Sequence, residues 1–164
     1  MIILGVDPGI ATTGYGLIDF DGNKFRAIDY GPIYTEPKHS LPERLAIINR
    51  ELTDVIVKYK PDAFSVEELF FNKNVKTALN VGHARGVILF TAYSQGLSIF
   101  EYTPLQVKQA VAGYGRADKK QIQQMTRILL NLDDIPKPDD VADALAIALC
   151  HANSCSAAEL FRIR

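Results

Sequence analysis

The sequence predicts a single α/β domain over residues 1–164, in which a mixed five-stranded sheet carries helices on both faces. Three strand-like segments open the chain in succession, and two further strands alternate with helices after them. Successive strands joined by tight turns pair antiparallel, whereas a strand–helix–strand order produces parallel neighbours. A chain of 164 residues, 48% of them hydrophobic, is long enough to bury one core of ordinary size. We expect residues from about 154 to 164 to form a loosely ordered tail.

The strands are predicted from runs of apolar and β-branched residues that end at turn residues. Asp21-Gly22-Asn23 is a tight hairpin signal between the second and third strands. The five predicted strands span Ile2–Asp7, Gly14–Phe20, Phe25–Tyr34, Ala63–Glu67 and Leu97–Tyr102.

The helices are predicted from apolar residues at helical spacing and from capping signals. Ser40 and Glu43 have the spacing of a capping box at the start of the first helix, which ends at Lys60-Pro61. Gly96 is a C-terminal stop for the second helix. The four later helices are predicted over Val75–Gln95, Pro104–Ala112, Asp118–Asn131 and Asp139–Asn153.

Charge is distributed unevenly along the chain. Residues 72–128 contain eight basic and two acidic side chains, although the whole chain has a net charge of −1. A basic middle segment is typical of a nucleic-acid-binding surface, but lysines also commonly do no more than solvate helices, and both interpretations stay open. Because there is neither a signal-peptide pattern nor an apolar run of membrane-spanning length, we expect a cytoplasmic protein. Two cysteines are too few for a disulfide framework or a zinc site.

Four acidic residues occupy positions where charge needs an explanation. Asp7 and Glu67 each end an apolar strand, and Asp140 and Asp143 are three apart on an alanine-rich helix. Each has a structural alternative, since Asp7 begins an Asp-Pro-Gly turn and Asp139 and Asp140 suit a helix N-terminus. Four converging carboxylates would repel one another and raise their pKa values. Hard divalent cations with oxygen ligands relieve that repulsion, and two ions about 4 Å apart suit phosphodiester cleavage.

Several motifs extend from Met1 to about His151, namely GVDPGIATTGYGLI, VEELFFNKN, GHARGV, YTPLQVKQAVAGYGRADKKQIQQM and DDVADALAIA. Together these motifs resemble the RuvC family of Holliday junction resolvases in the ribonuclease H-like superfamily. The resemblance implies a metal-dependent endodeoxyribonuclease that cuts four-way DNA junctions by paired symmetric nicks during recombination and repair. It also implies two Mg²⁺ ions per site, with Mn²⁺ possible, a water nucleophile, 5′-phosphate products, a homodimer and association with the RuvA–RuvB branch-migration machinery.

The resemblance assigns roles to individual residues. It places metal ligands and catalytic groups at Asp7, Glu67, Asp140 and Asp143, although some family members carry histidine at the position of Asp140. Lys119 is implied beside the reacting phosphate, and Phe70 is implied to stack on an unpaired base, whereas its structural alternative is core packing. The DNA-binding candidates are Phe70, Lys73, Lys76, Lys108, Arg116, Lys119 and Lys120. The dimer interface is implied on the long helix at Leu79, Gly82, Gly86, Val87 and Phe90, a face that could instead pack on its own sheet.

Three other functions compete with this interpretation. Another ribonuclease H-like nuclease, acting on RNA or branched DNA, could share the N-terminal motif, but the basic residues Lys108 and Lys119 favour the resolvase. The segment GVDPGIATTGYG also resembles the phosphate loop of actin-like ATPases and sugar kinases. Those enzymes need two domains around a nucleotide, for which 164 residues are too few. Nothing supports a catalytically inactive junction-binding module, because all four acids are present.

Overall fold

The structure is a computed structural model that describes residues 1–69 and 75–163. Its strands are β1 (Ile2–Asp7), β2 (Thr12–Phe20), β3 (Phe25–Tyr34), β4 (Ala63–Glu67) and β5 (Ile99–Tyr102). Its helices are α1 (Leu41–Tyr59), α2 (Val75–Ser94), α3 (Pro104–Ala112), α4 (Lys119–Leu129) and α5 (Asp139–Asn153), followed by a 3-10 helix over Cys155–Phe161. The elements occur in the predicted order, with β2 starting two residues earlier and β5 starting two residues later than expected.

The five strands form one sheet in the order β3-β2-β1-β4-β5. The pairs β1–β2 and β2–β3 are antiparallel, whereas β1–β4 and β4–β5 are parallel. Because β1 lies at the centre, the C-terminal ends of β1, β4 and β5 meet at one edge of the sheet. Asp7 and Glu67, the last residues of β1 and β4, lie at that edge.

Alternation along β1 sends its side chains into two separate cores. Ile3 packs into a core formed with α3, α4 and α5, whereas Leu4 and Val6 pack into a core formed with α1 and α2. Since successive residues of a strand point to opposite faces, Asp7 shares its face with Ile3 and therefore faces α5. The same alternation in β4 places Ala63 in the core that includes α5, and Phe64 and Val66 in the core formed with α1 and α2. Glu67 therefore also faces α5.

Glycines on β1 and β2 let α5 approach the sheet very closely. A Cβ atom at Gly5 would lie 2.7 Å from the Ala148 backbone nitrogen, and one at Gly16 would lie 2.7 Å from Leu145 Cδ2. A Cβ atom at Gly14 would overlap the backbone carbonyl of Asp140. Because the alanines of α5 also have small side chains, the backbone of α5 lies close to the backbones of β1 and β2 along this contact.

The C-terminal segment packs against the outer edge of β5. Within the described residues, the Phe161 ring lies 5.1 Å from the ring of Tyr102. Arg162 forms an antiparallel bridge with Phe100, and the Ile163 amide donates to the Ile99 carbonyl at 2.9 Å. These contacts cover backbone groups at the edge of β5 that would otherwise be unpaired. The loosely ordered tail that the sequence predicts over about 154 to 164 stays a prediction.

The described helices include none with the length and apolarity needed to cross a membrane.

Candidate functional site

Asp7 and Glu67 lie side by side at the same edge of the sheet. Val6 pairs with Val66 in the parallel register of β1 and β4, and each acid is the next residue along its strand. Both face α5, as the alternation of the two strands requires. The predicted juxtaposition of these two strand ends is therefore present.

The N-terminal turns of α5 bring Asp140 and Asp143 to that edge. In the antiparallel register Asp7 lies opposite Gly14, and Gly14 in turn packs on the Asp140 backbone. Asp143 is one helical turn further along α5 and lines a cleft of about 190 Å³ together with Glu67. The four acids that sequence reasoning singled out thus face one another across the contact between β1, β4 and α5.

Burial and mutual repulsion perturb these carboxyl groups. Burial, followed by the charges of Asp143, Asp140 and Glu67, raises the pKa of Asp7 to about 8. Burial and the charge of Asp143 raise the pKa of Glu67 to about 6. Burial raises the pKa of Asp143 as well, although Lys119 opposes that change. The repulsion that raises these three pKa values would be relieved by a bound cation.

Two lysines face the acids from the neighbouring helices. Lys119 Nζ donates to Asp143 Oδ2 at 2.9 Å and lies 3.4 Å from Asp139 Oδ2. Lys108 on α3 lines the same cleft and lowers the pKa of Glu67. Both are therefore at the mouth of the site, as expected for groups that would meet a negatively charged substrate.

The donor set fits a divalent cation by its chemistry. Among residues 1–69 and 75–163, no three His, Cys, Asp or Glu side chains are grouped closely enough to hold one ion. The four carboxylates nevertheless interact electrostatically, and Lys119 already supplies one positive charge to them. Oxygen donors without nitrogen or sulfur ligands are typical of magnesium or manganese sites.

The other predicted DNA-binding residues are less tightly tied to the site. Lys120 and Arg116 are exposed near the start of α4. Phe70 and Lys73 lie outside the described residues, as does the side chain of Lys76. Their predicted contacts with DNA stay predictions.

The predicted dimer face of α2 points away from the core. Leu79 and Phe90 are 58% and 66% exposed, and a Cβ atom at Gly82 or Gly86 would have no neighbour within 4 Å among the residues that the structure describes. The opposite face of α2 is the buried one, and its core residues are Ala84, Ile88 and Ala92. The alternative that the glycine face packs on its own sheet is therefore wrong, and the exposed apolar stripe is open to a partner.

Sequence reasoning missed two kinds of residue at the site. It treated Asp139 only as a helix-capping acid, whereas its carboxylate lies 3.4 Å from Lys119 Nζ. It also gave no role to Gly14, the residue that allows the Asp140 backbone to approach Asp7. The sequence did contain an indication of this close packing, because small residues occur both on the first two strands, in GVDPG and GYG, and on the alanine-rich last helix. Tyr93, which is 76% exposed, extends the apolar stripe of α2 and was missed as well.

Comparison with known proteins identifies the family. Residues 3–151 match the family described as crossover junction endodeoxyribonuclease RuvC. Proteins of that name from Alkaliphilus oremlandii and Halothermothrix orenii are 60% identical over 164 residues and 63% identical over 154 residues. The alignments cover 100% of this chain and 100% of the first relative, and 94% of this chain and 93% of the second.

A solved structure agrees with the fold along nearly the whole chain. Thermus thermophilus RuvC in complex with a Holliday junction substrate superposes with a TM-score of 0.90 at 38% identity, covering 94% of each chain. The predicted ribonuclease H-like architecture, with three antiparallel strands, added parallel strands and helices on both faces, is confirmed. The chain belongs to the RuvC family of crossover junction endodeoxyribonucleases.

Proposed function

We propose that this protein is a metal-dependent endodeoxyribonuclease that resolves four-way DNA junctions by paired symmetric nicks during recombination and repair. The observation that carries the proposal is the convergence of Asp7, Glu67, Asp140 and Asp143 at one sheet edge, with Lys108 and Lys119 beside them. Family membership and the Thermus thermophilus complex with a Holliday junction support the choice of substrate. The protein would act on chromosomal DNA in the cytoplasm.

The four carboxylates would hold the metal, which we propose to be two Mg²⁺ ions, with Mn²⁺ as a substitute. When bound, such ions activate water and stabilise the oxygen that leaves the phosphorus. Asp7 and Glu67 are fixed by their strands, and Asp140 and Asp143 by the tightly packed α5. A rigid scaffold of this kind suits chemistry that depends on accurate positioning of ligands and phosphate.

The lysines would divide the remaining work between binding and chemistry. Lys119 is within reach of Asp143, so its ammonium lies where negative charge would develop on a phosphate held at the carboxylates. Lys108 lies on α3 at the rim of the cleft and would neutralise a neighbouring phosphate of the DNA backbone. Lys120 and Arg116 extend the positive charge outward. Phe70 is proposed to stack on an unpaired base near the centre of the junction, and Lys73 and Lys76 are proposed to bind DNA.

A homodimer would supply the second active site. The described part of the chain holds one cluster of this kind, at Asp7, Glu67, Asp140 and Asp143, and two symmetric cuts require two such clusters related by a two-fold axis. The exposed stripe of α2 is the proposed interface, since its glycines leave a shallow groove for the partner's helix. Leu79, Val87, Phe90 and Tyr93 would supply the apolar contact area. Association with the RuvA–RuvB branch-migration machinery is proposed from the family alone.

Cleavage of synthetic substrates tests the proposal. With Mg²⁺, the protein should nick an immobile four-way junction at paired sites and leave a linear duplex of matched sequence nearly untouched. Asp7→Asn and Glu67→Gln should each reduce cleavage by at least about 100-fold, because each removes a charged ligand from the site. Junction binding measured without metal should survive, since cations rather than acids would contact the phosphates.

Asp54→Asn is the matched control, because Asp54 is an exposed acid on α1. Its cleavage rate should equal that of the wild type. Substantial cleavage by purified Asp7→Asn would remove the carboxylates from the mechanism. Preferential cleavage of an RNA-containing or simple branched substrate would instead favour the other ribonuclease H-like nucleases.

A further inference from the structure

Asp139 lies beside the carboxylate cluster and is linked to it through Lys119. Lys119 Nζ contacts Asp143 Oδ2 at 2.9 Å and Asp139 Oδ2 at 3.4 Å. Asp139 Oδ1 is in turn 3.0 Å from Lys137 Nζ. Asp139 and Asp143 are four residues apart on α5, so they stand one above the other on one helix face. Lys119 therefore bridges two acids that are one helical turn apart.

This arrangement places an ammonium group on one of the two oxygens that Asp143 could offer to a divalent cation. Asp143 lines the cleft with Glu67, and its Oδ2 accepts a hydrogen bond from Lys119. Two cations cannot share that oxygen without strong repulsion at such short range. Binding of a cation through Oδ2 would therefore require Lys119 to leave that oxygen. Without a second acid nearby, the flexible lysine side chain would move into solvent.

We propose that Asp139 is a positioning residue that retains Lys119 at the site when Asp143 is given up to a divalent cation. The ammonium passes from Asp143 to Asp139, within one turn of the same helix. Lys119 then remains beside the cluster, where it can meet a phosphate. The relevance of that last step to cleavage rests on the proposed function, whereas the exchange of ammonium for cation concerns the DNA-free protein. Lys137 holds the other carboxylate oxygen, Asp139 Oδ1, and so leaves Oδ2 to Lys119.

Binding of Mn²⁺ to the DNA-free protein, measured by calorimetry, tests the exchange through a double-mutant cycle. Asp139→Asn should weaken Mn²⁺ binding by about two- to fivefold, because exposed ion pairs have energies in that range and Lys119 would stay on Asp143. Lys119→Met should tighten binding, since it removes the competing ammonium. In the Lys119→Met background, Asp139→Asn should have no measurable effect. Asp139→Glu should restore wild-type affinity by keeping the charge.

Asp134→Asn is the matched control, because it removes an exposed acid from the segment that joins α4 to α5. It should leave Mn²⁺ affinity unchanged, and thermal unfolding should show that every variant is folded. Single-turnover junction cleavage at saturating Mn²⁺ provides a second measurement. Asp139→Asn should slow it in the wild-type background and should not slow it further in Lys119→Met.

Two results would overturn the inference. Equal weakening of Mn²⁺ binding by Asp139→Asn in both backgrounds would mean that Asp139 acts on the ion directly rather than through Lys119. Unchanged Mn²⁺ binding in Asp139→Asn alone would mean that the lysine does not need a second acid. Failure of the wild-type protein to cut junctions would count against the proposed function but would leave the calorimetric cycle to decide this inference independently.

Discussion

Gly14 sets the distance between α5 and the sheet, and Gly14→Ala is the most direct test of that contact. The added Cβ would overlap the Asp140 carbonyl and would lie 2.8 Å from the Val141 backbone nitrogen. Ordinary contact begins at 3.4 Å, so the Val141 nitrogen alone requires a retreat of about 0.6 Å, and the overlapped Asp140 carbonyl requires the first turn of α5 to move further than that. The obstacle is backbone, and no side-chain rotation can relieve it.

The retreat should affect stability and activity to different degrees. Overpacking of this kind costs about 1–3 kcal/mol of unfolding free energy. Asp140 belongs to the displaced turn and Asp143 to the next one, so both candidate ligands move away from Asp7. A misplacement near 1 Å can reduce a reaction rate by about 100-fold, so we expect a loss of about 10- to 100-fold in single-turnover cleavage.

Urea unfolding, Mn²⁺ calorimetry and junction cleavage together measure these effects. Gly31→Ala is the matched control, since its Cβ would lie 3.3 Å from the Tyr15 hydroxyl, a side-chain atom that can move. Gly31→Ala should leave Mn²⁺ binding and cleavage intact. If Gly14→Ala keeps wild-type stability, metal affinity and cleavage, the close approach of α5 does not position the site.

Two further predictions concern DNA and the dimer. Lys108→Ala should reduce the slope of log junction affinity against log salt concentration by about 0.9 per subunit, which is the contribution of one phosphate contact. Lys119→Ala should mainly slow single-turnover cleavage. An unchanged salt slope in the first variant and an unchanged rate in the second would leave both lysines as surface charges. Gly86→Leu should shift the protein toward monomer in sedimentation with folding preserved, because the side chain would fill the groove on α2, and a folded, dimeric and active Gly86→Leu protein would place the interface elsewhere.

The strand ends could be predicted because strand alternation and charge are local signals. Asp7 and Glu67 each follow apolar residues whose period assigns a face, and the β1–β4 register then places the acids together. The i, i+3 spacing of Asp140 and Asp143 likewise fixes a shared helix face. None of this requires knowledge of the distance between α5 and the sheet.

That distance and the ion pairs were not predictable because they depend on contacts between remote segments. Gly14 is far from Asp140 in sequence, and only packing shows that the glycine admits the helix backbone. Asp139 looks like any acid at a helix N-terminus until Lys119, from another helix, is placed beside it. The contact of the C-terminal segment with β5 likewise depends on Tyr102, whose ring packs against Phe161. Pairwise tertiary contacts of this kind leave no periodic pattern in either segment.

The carboxylate cluster should make the metal-free protein less stable as the pH rises. An unfolded Asp7 ionises near pH 3.8, whereas burial and neighbouring acids raise its folded pKa to about 8. The folded state thus holds a proton that the unfolded state has released, so the free energy of unfolding falls as the pH rises from about 4 to 8. A tenfold difference in proton affinity between the two states corresponds to about 1.4 kcal/mol, so the total loss is on the order of several kcal/mol.

Asp7→Asn removes the titrating group and should therefore be more stable than the wild type in metal-free buffer at pH 8, with the gain vanishing near pH 4. Denaturant unfolding across that range measures the difference, and Asp54→Asn, an exposed acid, should follow the wild-type curve. Mg²⁺ at about 100 times its dissociation constant should stabilise the wild type by about 2.7 kcal/mol, and Asp7→Asn by much less. A parallel pH dependence in wild type and Asp7→Asn would show that Asp7 is not held among the other acids. If Asp7→Asn is more stable than the wild type at pH 8 without metal, and Mg²⁺ stabilises the wild type more than Asp7→Asn, the cluster destabilises the metal-free fold and a bound cation compensates for that loss.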